Sequence, residues 1–211
     1  MSKSWNPAII VFLKPPVSGK VKTRLAARIG DNQALQVYRL LLLHTFHILN
    51  HSEAEVFFFL SEKDEKGTLP LNLPGSHIFY QSGEGLGERM RNAFDRVFQL
   101  SFGPAMIIGT DNIEIRPEHL RQAFKILQGN DLVLGPSNDG GYYLLGMNSF
   151  QAHLFDDILW SSSVVLEQSI GKIVRSGLSY QLLPELVDID EYEDLEACSW
   201  QTVLENLKLR R

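Results

Sequence analysis

The chain has 211 residues, 44% hydrophobic and 21% charged, a balance that builds an ordinary globular core and excludes a disordered or fibrous protein. A net charge of −5 supplies no global positive field, which excludes a general nucleic-acid binder and requires any anion site to be a local basic cluster. Cys198 is the single cysteine, so internal disulfides, thiolate metal clusters and redox pairs are excluded as well.

Short apolar runs rich in β-branched and aromatic residues predict strands over 8–13, 55–60, 77–80, 105–109, 131–135 and 142–147. Apolar residues at helical spacing predict helices over 23–29, 32–50, 86–100, 117–128, 161–176 and 191–209. Residues 62–74 read as loop. The amino terminus runs into its first strand without the apolar segment and cleavage site of a secretion signal. The greasiest stretch, 40–49, carries His44 and His47 and is too short to cross a bilayer. The expectation is one cytoplasmic domain over residues 1–211, with no membrane span. Strands alternating with helices predict an α/β fold: a mostly parallel sheet with helices on both faces, made mixed by the strand–turn–strand around Asp139. Ligands of such sheets bind beyond the carboxyl ends of the strands.

The first such end carries Lys14-Pro-Pro-Val-Ser-Gly-Lys-Val-Lys-Thr-Arg-Leu25. From Lys14 to Arg28 there are five basic residues and no acidic one. Lys20, Lys22 and Arg24 crowd the start of the helix predicted at Thr23, where cations oppose the helix dipole. A phosphate held by these side chains and by backbone N–H groups would relieve that conflict, and Gly19 allows close approach. The bland alternative is a solvated basic turn. The phosphate-loop pattern is absent because Val21 follows Gly19-Lys20, and Gly83-x-Gly85-x-Gly87 has the wrong spacing for a dinucleotide fingerprint.

Further along, Asp111 ends the strand 105–109, where a carboxylate can hold Mg²⁺ or Mn²⁺ or simply cap the helix at Pro117. Ser137-Asn-Asp-Gly-Gly-Tyr suits a tight hairpin, and equally a site in which Asp139, Gly140 and Gly141 face a polyhydroxylated substrate. Trp160 with the serines at 161–163 reads as a staple and cap, or as the wall of an acceptor pocket. Asp190 followed by Glu193 reads as a helix cap, a role that leaves a second oxygen for metal. The six histidines lack paired-ligand spacing and there is no GxSxG elbow, which argues against a zinc site and a serine hydrolase.

Taken in order, KPPVSGKVKTRL, GEGLGERM, IIGTD, GPSNDGGYYLLG, WSSSVVLEQS and DIDEYEDL resemble a bacterial family of proposed glycosyltransferases. That family belongs to the nucleotide-diphospho-sugar transferase superfamily, with the GT-A (Rossmann-like) fold; some members are assigned to arsenosugar biosynthesis. The resemblance spans nearly the whole chain, with DGGYYLLG its most specific piece. It implies a nucleotide-sugar donor, a small-molecule acceptor and Mg²⁺ or Mn²⁺ held by Asp111 and Asp190. It further implies phosphate contacts from Lys14, Lys22 and Arg24. Beside these, the candidate nucleotide side takes in Gly19, Thr23, Gly85 and Arg89, the candidate catalytic residues are Asp139 and Asp111, and Gly140, Gly141 and Trp160 are candidates for the substrate side. The chain departs from the family pattern at Asn112-Ile113, where C/S-P is common, and at Glu191-Tyr192, where T-P is common. The opening motif also resembles guanylyltransferases that activate phospholactate in coenzyme F420 synthesis, so nucleotidyl transfer is a second expectation. A homologue that binds nucleotide without turnover is a third.

Overall fold

The computed structural model describes residues 5–65, 67–69 and 77–198. Strands β1 (Ala8–Leu13), β2 (Glu55–Leu60), β3 (His77–Tyr80), β4 (Ala105–Ile108), β5 (Leu132–Pro136), β6 (Tyr142–Met147) and β7 (Tyr180–Leu182) form one sheet in the order β3-β2-β1-β4-β6-β5-β7. β6 runs antiparallel to β4 and β5, and every other pairing is parallel. Among the described residues the helices are α1 (Thr23–Ile29), α2 (Asp31–Leu49), α3 (Leu86–Gln99), α4 (Pro117–Leu127), α5 (Val165–Arg175) and α6 (Tyr192–Ala197), with a short 3-10 turn at Ala152–Phe155. The mixed, mostly parallel sheet is the one expected.

The two-residue period of the strands divides the core. Ile9, Val11 and Leu13 of β1 face α2 and α4 through Tyr38, Leu42, Phe46, Leu120 and Leu127. Ala8 and Ile10 face α3 and α5 through Met90, Phe94, Val97 and Ile173. Strands buried on both faces read as continuous apolar runs, which is why β1, β2 and β4 stand out in the sequence.

Three expectations shift. α5 starts at Val165 and not at Ser161, because Ser161 has φ of 61° and the Ser162 hydroxyl bonds to Leu159 O, closing a turn ahead of the helix. β7 escaped notice because Gln181 and Leu182 lie exposed at the sheet edge and form no apolar run. α6 is formed over Tyr192–Ala197, and positions 199–209 of its expected continuation lie outside the described residues, as do residues 66 and 70–74 of the expected loop. Among the described residues no helix is long and apolar enough to cross a membrane.

The β5–β6 hairpin is clipped to the start of α5. Leu166 N–H donates to Gly140 O at 2.9 Å, and a Cβ built on Gly140 would lie 2.1 Å from Ser163 O. Gly140 also has φ of +85°, so an alanine there meets both strain and a backbone clash. Gly140→Ala is expected to destabilise the fold by about 2–4 kcal/mol, lowering Tm by roughly 5–12 °C in a thermal melt. Gly129→Ala, with open space around it, is expected to stay within about 0.5 kcal/mol of the wild type.

Candidate functional site

From β1 the chain steps outward through β2 to β3, then returns to place β4 on the other side of β1. The loops after β1 and β4 therefore leave neighbouring strands at the carboxyl edge of the sheet, the usual ligand position of open α/β folds. Because β6 is antiparallel, the 137–141 hairpin arrives at the same edge. The segment after β7 then runs across it: Leu186 N–H donates to Pro136 O at 3.1 Å, and Ile189 N–H to Asp111 O at 2.9 Å.

The basic loop is anchored at both ends and open in the middle. Pro15, Pro16 and Val21 are buried, whereas Ser18, Gly19 and Lys20 are exposed. The Tyr38 hydroxyl of α2 accepts from Lys14 N–H and donates to Lys14 O, both at 2.9 Å. Burial pushes the Tyr38 phenol up to about 12, against hydrogen bonds with Thr110 and Lys14, so it stays protonated and keeps donating. Gly19 adopts φ of +78°, which suits glycine in this turn.

Lys22 turns inward. Its ammonium lies 2.6 Å from Asp111 Oδ1 and 2.8 Å from Asp190 Oδ1, and its side chain is only 4% exposed. The two carboxylates are 45% and 48% exposed. Burial pulls the ammonium's pKa down, but the two carboxylates together outweigh it and hold it above the ordinary lysine value. Asp188 stands beside them, accepting from Asn112 Nδ2 at 3.0 Å. Burial pushes its carboxyl up to about 7; the Asn112 bond opposes this, and the charges of Asp111, Asp139 and Asp190 add to it.

The structure brings Asp111 and Asp190 together on Lys22, and it corrects the capping role expected of Asp190. The residue capping α6 is Glu191, and Asp194 Oδ2 accepts from the Asp190 and Glu191 N–H groups at 3.0 and 2.8 Å. That shift of one residue leaves the Asp190 carboxylate for the cation. Asp111 is likewise not the cap of α4, whose N-cap is Arg116, with its N–H donating to His119 Nδ1. Asn112 Oδ1 accepts from Glu114 and Ile115 N–H at 2.8 and 3.0 Å, and Ile113 is buried with Leu25, Ile189 and Leu195. The departure from the family pattern at 112–113 is therefore accommodated by hydrogen bonds and packing.

The other candidates are spread around this centre. Asp139 is exposed, and its Oδ1 accepts from Ser137 Oγ at 2.5 Å and Gly141 N–H at 2.8 Å, which fixes its direction. Arg24 lies 3.7 Å from Glu191 on the surface, and Arg28 covers the Tyr192 ring, so the second departure pairs with α1. Arg89 donates from Nε to Gly83 O at 3.1 Å, bracing the loop before α3. Gly85 precedes α3 with open space around it, and Thr23 is exposed at the start of α1. Trp160 does not cap α5. It stacks on Phe155 and lays its indole N–H edge where a Gly87 Cβ would be, 2.0 Å from that position.

Asp111 and Asp190 already converge on one cation, the Lys22 ammonium, and both are carboxylate oxygens with water access. This donor set suits Mg²⁺ or Mn²⁺, which add water and phosphate oxygens to one or two carboxylates. Among the described residues no group of three or more His, Cys, Asp or Glu could hold an ion unaided, so substrate and water would supply the remaining ligands. Sequence reasoning missed Asp188, Asn112 and Tyr38. The signal for Asp188 is its place two residues before Asp190 around buried Ile189, a spacing that puts both carboxylates on one side of an extended segment.

A crystal structure of a proposed nucleotide-diphospho-sugar transferase from Desulfovibrio desulfuricans G20 superposes with a TM-score of 0.87 and 29% identity, over 97% of this chain and 95% of that one. The inositol-1-phosphate CTP transferase of T. maritima gives 0.59 and 12% identity, over 96% of each chain, and shares the fold. So does the manganese complex of Rv0371c from Mycobacterium tuberculosis H37Rv, at 0.57 and 14% identity, over 91% of this chain and 97% of that one. No functionally curated relative matches the sequence. Residues 44–162, more than half of the chain, match the bacterial family described as "uncharacterized protein conserved in bacteria" (DUF2064), and the chain belongs to that family.

Proposed function

We propose that this protein is a divalent-metal-dependent glycosyltransferase that moves a sugar from a nucleoside diphosphate to a small acceptor. The observation that carries the proposal is the convergence of Asp111 and Asp190 on one cation, which belongs to the basic loop, at the carboxyl ends of the paired strands β1 and β4. The similarity to the Desulfovibrio protein supports the same reading.

Asp111 and Asp190 would hold Mg²⁺ or Mn²⁺, which when bound neutralises charge on a departing diphosphate. The chain's own part is electrostatic and positional. Lys14 and Lys22 meet phosphate oxygens as negative charge builds on them, and Gly19 lets the loop backbone come close. Thr23, Arg24, Gly85 and Arg89 complete the proposed nucleotide side. Gly140, Gly141 and Trp160 border the acceptor. An acceptor oxygen attacks the anomeric carbon, the bond from that carbon to the diphosphate oxygen breaks, and the acceptor proton passes to Asp139. A carboxylate held by Ser137 and Gly141 is oriented for that transfer.

The same centre serves nucleotidyl transfer, in which a substrate phosphate oxygen attacks the α-phosphorus of a nucleoside triphosphate and pyrophosphate leaves. The fold shared with the CTP transferase favours keeping this as the second reading. A homologue without turnover is the third.

A thermal-shift panel of nucleoside triphosphates, diphosphates and diphosphate sugars, each with Mg²⁺ or Mn²⁺ and again with EDTA, separates them. Ligand at about 100 times Kd adds ~2.7 kcal/mol, a shift of roughly 5–10 °C for this size. The expected result is a metal-dependent shift with one family of diphosphate sugars. Preference for a triphosphate, with pyrophosphate release, establishes the second reading; binding without turnover establishes the third. In the same assays Asp111→Asn is expected to lower turnover about 10²–10³-fold while Tm stays within roughly 5 °C of the wild type. Intact metal binding and turnover in that variant would refute the assignment.

A further inference from the structure

Lys22 occupies an odd position for a phosphate ligand. It belongs to the basic loop, yet its side chain is buried and its ammonium sits between the two carboxylates. The backbone there is also unusual, with φ of 48° and ψ of 45°, a left-handed conformation that a lysine adopts at a cost. Buried Val21 on one side and buried Leu25 on the other hold the turn that aims it. Lys14 and Arg24, by contrast, are exposed, and Lys20 pairs on the surface with Glu62 at 3.0 Å.

An ammonium and a divalent ion cannot share two carboxylates without strong repulsion, because both charges would lie within a few ångströms. Lys22 must leave the carboxylates for a metal to be held well. It is tethered to a loop whose middle is open, so an incoming polyphosphate offers its ammonium another negative partner.

We propose that Lys22 is an internal counter-cation: without nucleotide it excludes divalent metal from Asp111 and Asp190, and a bound diphosphate draws it away so that metal and anion enter together. This rests on the metal-dependent reading of the site given above. It makes Lys22 a positioning residue with two partners, and it couples two binding events through one side chain.

The test is a Mn²⁺ titration followed by calorimetry, with and without inorganic pyrophosphate as the anion. Proteins compared are the wild type, Lys22→Met, Lys22→Gln, Lys22→Arg and Asp111→Asn, each checked for folding by its melting curve. Without pyrophosphate, Lys22→Met or Lys22→Gln should bind Mn²⁺ about tenfold or more tighter than the wild type, because a repelling unit charge is gone. Lys22→Arg, which keeps the charge, should not. With pyrophosphate the order should reverse, the wild type binding Mn²⁺ more tightly than either neutral variant. If the neutral variants bind Mn²⁺ alone no tighter than the wild type while Asp111→Asn abolishes binding, the counter-cation role is overturned and the metal site stands. If neither the wild type nor any Lys22 variant binds Mn²⁺ under either condition, the metal site and the counter-cation fall together.

Discussion

Lys22 keeps its charge inside the protein because Asp111 and Asp190 reach it from elements far apart in the chain. Those carboxylates cannot wander, since each is tied to an apolar neighbour. Leu25, Ile113 and Ile189 pack in one cluster with Leu41 of α2 and Leu195 of α6, within three residues of Lys22, Asp111 and Asp190 respectively. A small oily patch thus fixes the charged groups next to it. The sheet sets where the strands end, and this patch sets which way their loops turn.

The edge is crowded with negative charge. Asp111, Asp139, Asp188 and Asp190 lie close enough for three of them to raise the fourth, and Lys22 is the cation placed among them. Asn112 supplies a neutral amide at the centre of this group, bonding to Asp188 and to two backbone N–H groups. An aspartate at 112 would satisfy the N–H groups but add repulsion where the structure has least room for it. The surrounding field favours cations and resists a bare polyphosphate, so a nucleotide gains from arriving with positive charge already in place.

Much of this was legible in the sequence because its signals are local. Central strands announce themselves as unbroken apolar runs, and the strand-end position of Asp111 follows from β4 alone. The basic loop stood out against an acidic chain. What escaped depended on contacts between distant segments. The inward turn of Lys22 needs Asp190, 168 positions away, and local capping logic drew attention from the freedom of that carboxylate. β7 owes its existence to pairing with β5 and not to its own side chains, two of which are exposed. Trp160 could be placed near the edge, but its lodging on Gly87 is a matter of tertiary packing.

The separation of Lys22 from Asp190 also orders events during synthesis. β1 and β4 pair directly, so the lysine can meet Asp111 once the first half of the chain has left the ribosome. Asp190 follows Asp111 by 79 residues (190 − 111), which at cellular elongation rates is a delay of about 4–16 s. During that interval the nascent chain carries the basic loop and only one of the two carboxylates that pair with Lys22. The pair of carboxylates around Lys22 can be completed only after residue 190 has been made, beyond the last described strand, β7.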